Sequence, residues 1–179
     1  MSTEVERIYS EISSLRKVVI RCGTPSDVIA FESIAAKGIL LAAASYFEKA
    51  VCEVIRKHAE ISGASDAFVA FLDNQGLNRK YHTLFDWERG NINKFIRLFG
   101  NPFFKFMEPR LGEDKVKDMI KEFMYLGQSR NELVHNNFAE YALNATADDI
   151  KEKFDIALPL LAFLAESLIE YESNEDAQN

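Results

Sequence analysis

The stretch SRNELVHNNF, residues 129–138, holds the side chains best suited to chemistry in this chain. Arg130 carries a permanent positive charge on a planar fork of donors, the geometry that grips a phosphate or a carboxylate. His135 is the side chain whose charge changes near neutral pH, which suits proton transfer. Asn131 stands beside the arginine and four residues before the histidine, a spacing that lets the two touch on a helix. On a wheel of about 100° per residue anchored at Val116, Val134 returns to the origin and Arg130 lies about 40° away, inside the apolar stripe. Asn131 and His135 fall about 60° and about 100° to the other side, at its edge. A guanidinium facing inward is costly unless an anion meets it. That anion is either a protein carboxylate, for which Glu48 in SYFEKAV is the candidate, or a substrate phosphate. In the first case Arg130 is structural, and His135 is a favourable cation at a helix end. In the second the stretch is a reaction site.

Four long helices must carry these groups. Val5, Ile8, Ile12, Leu15 and Val19 form one apolar stripe over about residues 4–20. Thr24, Pro25 and Asp27 open a second helix expected to reach Ile61. Its middle, AAKGILLAAASYFEKAVCEVI, is apolar nearly all round, so it is buried on several sides. A third helix runs from about residue 113 to 136, with Val116, Met119, Ile120, Phe123, Gly127, Val134 and Phe138 on its inner face. Thr146 and Asp149 form a capping box for a last helix reaching about Tyr171, which Pro159 should kink. Between the second and third helices, glycines and prolines cut residues 63–112 into short helical pieces rich in aromatics. The expected fold is all-α: an up-and-down bundle of four long helices with a short-helix insert. It forms a single domain over residues 1–172, followed by a disordered acidic tail at 173–179.

Composition narrows the classes of function. The 179 residues are 47% hydrophobic and 27% charged, which suits one soluble domain. No unbroken apolar run approaches the roughly 18 residues needed to cross a bilayer, and the start lacks a signal-peptide pattern. A cytoplasmic location without a membrane partner is expected. Cys22 and Cys52 are too few for a disulfide framework, and His58, His82 and His135 have no metal-ligand spacing. No metal and no cofactor is expected. A net charge of −7 excludes nucleic-acid binding through the general surface. Residues 77–111 run the other way, with seven positive side chains against three negative. There Arg79, Lys80, Arg89, Lys94 and Arg97 either guide RNA, with Tyr81 or Trp87 stacking bases, or form a solvated surface over a small aromatic core. Tyr141, six residues after His135, is either a modification target or an ordinary surface tyrosine.

Arg130-Asn131-Glu132-Leu133-Val134-His135 resembles the R-x4–6-H motif of the HEPN superfamily in its R-N-x-x-x-H form. KGILLAAASYFEKAVCEVI resembles the HEPN second helix, and GNINKFIRLFG is similar to a feature of the RiboL-PSP-HEPN type of subgroup. The resemblance implies an all-helical domain with the motif at the end of a late helix. It also implies a metal-independent endoribonuclease, often a toxin or antiviral effector, in which two copies pair so that both motifs line one cleft. Carried over, Arg130 would bind the scissile phosphate, His135 would transfer a proton or position the 2′-hydroxyl, and Asn131 would orient the histidine or hold the phosphate. Glu48 would support the site. RNA, a second copy of the chain and an antitoxin or defence-system protein are the partners this implies. The alternative is a non-catalytic HEPN module that binds RNA, a nucleotide or a protein.

Overall fold

A computed structural model describes residues 2–77 and 81–176. Local capping chemistry sets the helix starts. Thr3 opens α1 (Glu4–Cys22): its hydroxyl accepts from the Glu6 amide at 3.1 Å, and the Glu6 carboxylate accepts from the Thr3 amide at 2.6 Å. Thr24 and Asp27 repeat this reciprocal cap at the start of α2 (Pro25–Ile61), with Pro25 in its first turn. Each such box satisfies donors that a helix start otherwise leaves bare.

Helix α2 is the axis of the molecule. It packs against α1, α7 (Asp114–His135), α8 (Ala147–Ala157) and α9 (Leu160–Asp176). Ala35, Ala36, Ile39, Leu40, Ala43, Phe47 and Val51 are buried along it. Although no unbroken apolar run is long enough, one 18-residue window of α2 reaches a mean hydropathy of 1.6, enough by length and composition to cross a membrane. A third of that window is buried within the protein (33%), and a buried lysine, Lys37, sits in the same helix. Phe47 is 2% exposed, with its ring centroid 5.3 Å from both Phe123 on α7 and Phe154 on α8. Arg16 on α1 ties this frame at the surface through Glu32 on α2 and Asp148 on α8.

The insert contains α3 (Asp66–Leu72), α4 (Tyr81–Leu84), α5 (Asn93–Arg97) and α6 (Asn101–Leu111), with a π turn at Asp73–Leu77 and a 3-10 turn at Trp87–Arg89. The Asn91 side chain accepts from the Asn93 amide at the start of α5, and Gly100 leaves that helix at φ 98°, a backbone state that suits glycine. Phe85 welds the insert to α7. Its ring lies 4.8 Å from Phe95, 4.8 Å from Trp87 and 5.1 Å from Phe123. Most insert aromatics join this core, but Phe68 and Phe71 on α3 stay exposed.

Three expectations change. The last helix does not merely kink at Pro159: it divides there into α8 and α9, because proline has no amide to donate and its ring crowds the preceding turn. Helix α9 then continues to Asp176, into the segment read from sequence as tail, and 177–179 lie outside the described residues. Val134 and Phe138 are not inward: they are 52% and 45% exposed. Leu133 takes the inner place, seven residues after Leu126, which itself follows Met119 by seven. A seven-residue repeat drifts from an ideal wheel by about 20° per repeat, so the extrapolated stripe leaves the core by the last turn.

Replacing Phe47 by alanine is expected to remove about 3–5 kcal/mol of stability, read as a lowered urea midpoint. A loss under about 1 kcal/mol would show that α2, α7 and α8 do not share one core at this ring.

Candidate functional site

The motif occupies the last turns of α7, whose end is fixed by three sets of contacts. Asn136 follows the helix, and both its backbone and its side-chain amide donate to the Glu132 carbonyl, at 2.9 and 2.7 Å. Lys37, only 4% exposed, sends its ammonium from α2 to the Phe138 carbonyl at 2.7 Å and lies 5.0 Å over the Phe138 ring. A buried cation beside a helix C-terminus faces the negative end of the helix dipole. The Glu132 carboxylate accepts from Gln128 at 3.1 Å and from the Tyr141 hydroxyl at 2.8 Å. Burial, and then this carboxylate, push the Tyr141 phenol up to about 12, so it remains a donor. Tyr141 is thus a strut between α7 and the following loop.

Arg130 is half-buried and bonds Asn131: its Nη1 donates to the Asn131 Oδ1 at 3.1 Å. The carboxylate of Glu48 is not its ion-pair partner. Arg130 and Glu48 line the same small cavity of about 20 Å³, with Tyr81, His82, Trp87 and Asn131 also on its wall. No ion pair joins Arg130 to any carboxylate among the described residues. A space of that size holds about one water molecule. The buried Tyr81 phenol senses both charges. Burial raises its pKa well above the ordinary value, Glu48 raises it further and Arg130 opposes the rise.

Asn131 and Trp87 separate this cavity from an open groove of about 650 Å³. His135, Asn136, Gln128 and Glu132 from α7 face Asp86, Trp87, Glu88 and Lys94 from the insert across it. His135 is exposed and makes no hydrogen bond among the described residues. The indole of Trp87 fits against α7 because residue 127 is glycine: a Cβ there would lie 1.9 Å from the Trp87 ring. The indole N–H is fixed by the His82 carbonyl at 2.9 Å. Among the described residues no three metal-ligating side chains converge.

Arg130, Asn131 and Glu48 therefore meet at the cavity, and Asn131 and His135 meet at the groove. The described basic candidates of the insert, Arg89, Lys94 and Arg97, do not assemble around them. Of the three that are described, Lys94 lines the groove, with a long 3.5 Å contact to the Phe85 carbonyl, and Arg89 and Arg97 do not. Arg89 is exposed and paired with Asp86 at 2.9 Å, and Arg97 lies 3.6 Å over the Phe104 ring. Arg79 and Lys80 lie outside the described residues. Sequence reasoning missed Lys37, Glu88, Gln128 and Glu132. Lys37 reaches Phe138 from 101 residues away, Glu88 meets α7 only across the groove, and Gln128 and Glu132 bond within one helix where the pattern alone gave them no role.

An all-helical bundle whose late helix ends in R-N-x-x-x-H defines a HEPN module. The sequence profile of the RiboL-PSP-HEPN family matches residues 6–170, and the chain belongs to that family. No curated protein and no solved structure gives a significant match.

Gly127→Ala is expected to push the indole of Trp87, the single tryptophan, out of its seat and red-shift its fluorescence emission. An unchanged spectrum in a folded variant would contradict this packing.

Proposed function

We propose that this HEPN module is a metal-independent endoribonuclease that works in the cytoplasm as a homodimer, in the service of a toxin–antitoxin or phage-defence system. The observation that carries the reading is Arg130. Its guanidinium is turned inward, bonded to Asn131 and not neutralised by Glu48 or another described carboxylate. Its charge is left for an external anion. A phosphodiester at the junction of cavity and groove would receive Arg130 on a non-bridging oxygen. Asn131 holds the guanidinium at that junction.

The chemistry needs no group beyond the chain and the RNA. The ribose 2′-oxygen attacks the adjacent phosphorus as His135 takes its proton. The bond from phosphorus to the 5′-oxygen breaks, leaving a 2′,3′-cyclic phosphate and a 5′-hydroxyl. Arg130 stabilises the extra negative charge on the phosphorane through charge-assisted hydrogen bonds. The 5′-oxygen must gain a proton as it leaves, and the partner's His135 supplies it when two motifs share one cleft. Exposed Val134 and Phe138 flank His135 and give the apolar contact such a pairing needs. The defence role rests on the family alone.

One observation favours the alternative, a non-catalytic module binding RNA, a nucleotide or a protein. His135 has no hydrogen-bonding group to orient it among the described residues. A general base is ordinarily held by such a group. In the dimer reading the second copy provides it.

The test is cleavage of single-stranded and structured RNAs in EDTA by the wild type, Arg130→Ala and His135→Ala, each checked for folding and dimerisation. Cleavage by the wild type leaving cyclic-phosphate ends is expected, with each variant slowed at least about 100-fold. Absence of cleavage by folded, dimeric wild type across both RNA classes would favour the non-catalytic module. Equal cleavage by all three would remove the motif from the reaction.

A further inference from the structure

We infer that the groove beside the motif is a guanine-reading site, with Trp87 as the stacking surface and Glu88 as the group that determines specificity. The inference deepens the ribonuclease reading and rests on it for the nature of the polymer.

The charges of the groove are the starting point. Among the described residues three carboxylates line it, Asp86, Glu88 and Glu132, against one fixed cation, Lys94. A phosphate lying along this wall would meet like charge at several points, which is unfavourable in a partly enclosed space. The phosphate therefore belongs at the Arg130–Asn131–His135 end, and the acidic wall faces something else on the same nucleotide. A volume of about 650 Å³ has room for a nucleoside. The Trp87 indole, fixed by Gly127 behind it and by the His82 carbonyl, offers a rigid surface for a base to stack on.

Two of the three carboxylates are already committed. Asp86 holds Arg89, and both oxygens of Glu132 accept hydrogen bonds, from Gln128 and Tyr141. Glu88 is exposed and has no partner among the described residues. It stands next to Trp87 in the chain and on the same groove. A carboxylate has two acceptor oxygens and no donor. Among the four RNA bases, only guanine presents two neighbouring donors on its Watson–Crick edge, N1–H and the 2-amino group, which match one carboxylate in a bidentate pair. Adenine and cytosine place a ring-nitrogen acceptor beside their amino group and would repel the second oxygen. Uracil offers one donor between two carbonyls. Splayed bases of single-stranded RNA are read in this manner, by stacking together with hydrogen bonds along that edge.

Trp87 supplies the readout, since it is the single tryptophan. Its fluorescence is titrated in EDTA with GMP, IMP, AMP, CMP and UMP, using the full chain and its Glu88→Gln variant. GMP is expected to bind at least about tenfold more tightly than IMP, which differs only in lacking the 2-amino group. Glu88→Gln is expected to weaken both and to erase the GMP preference over IMP, with GMP losing more, because IMP keeps the N1–H that the carboxylate accepts and lacks only the second donor. Glu88→Ala, also a surface change, should give the same result. Equal binding of all five nucleotides, no binding of any at millimolar concentration, or a GMP preference indifferent to Glu88 would overturn the inference. Quenching by an arginine-rich peptide but by no nucleotide would also overturn it and would assign the acidic wall to a basic protein segment. The readout is binding, so it separates the two readings. A GMP preference without RNA cleavage would sink the nuclease alone, and cleavage without base preference would sink the guanine site alone.

Discussion

A guanidinium turned into a protein needs an anion, and Arg130 has none among the described residues. Much else in the site follows from that constraint. The neutral amide of Asn131 fixes the arginine without cancelling its charge. Glu48 shares a water-sized cavity with it without an ion pair. An arginine already clamped by a carboxylate would add little to the binding of a phosphate, because the clamp would have to be broken first. A guanidinium held by an amide keeps its pull at little cost in flexibility.

The bundle supports this arrangement from two directions. From behind, α2 carries Glu48 to the cavity and Lys37 to the loop after the motif, so one helix sets both ends of the site. Buried lysine is costly without compensation, and here the carbonyl and ring of Phe138 provide it at the helix end where positive charge is favoured. From the front, the insert places Trp87 in the notch at Gly127 and forms the wall between cavity and groove. The aromatic cluster around Phe85 holds that wall to α7. The insert is therefore part of the site, although Arg89 and Arg97 do not line it.

Sequence reasoning succeeded where the determinants are local. The reciprocal caps at Thr24 and Thr146 marked helix starts because a cap involves residues three apart. The HEPN motif, residues 130–135, and its helical setting were legible for the same reason: all its members lie on one turn or two of α7. The wheel failed at Val134 because the buried series Met119, Leu126, Leu133 repeats every seven residues and drifts from the ideal wheel, and at Phe138 because α7 ends at His135. Glu48 was read as the candidate ion-pair partner of Arg130; the two line one cavity without pairing, which no sequence pattern could say. Lys37 on Phe138, Trp87 on Gly127 and Glu88 on the groove were hidden because each joins segments far apart in the chain.

The availability of Arg130 for an anion is the claim on which the rest stands, and side-chain NMR observes it directly. The guanidinium resonances, assigned through Arg130→Lys, are followed as an oligonucleotide with 2′-deoxy substitution at every residue is added to the wild type. The account predicts that the Arg130 Nε–H signal shifts on titration and that Glu48→Gln leaves both the signal and its response nearly unchanged. An Arg130 signal that stays still while other arginines respond, or one that responds only after Glu48 is neutralised, would show that the charge is already taken and would contradict the account.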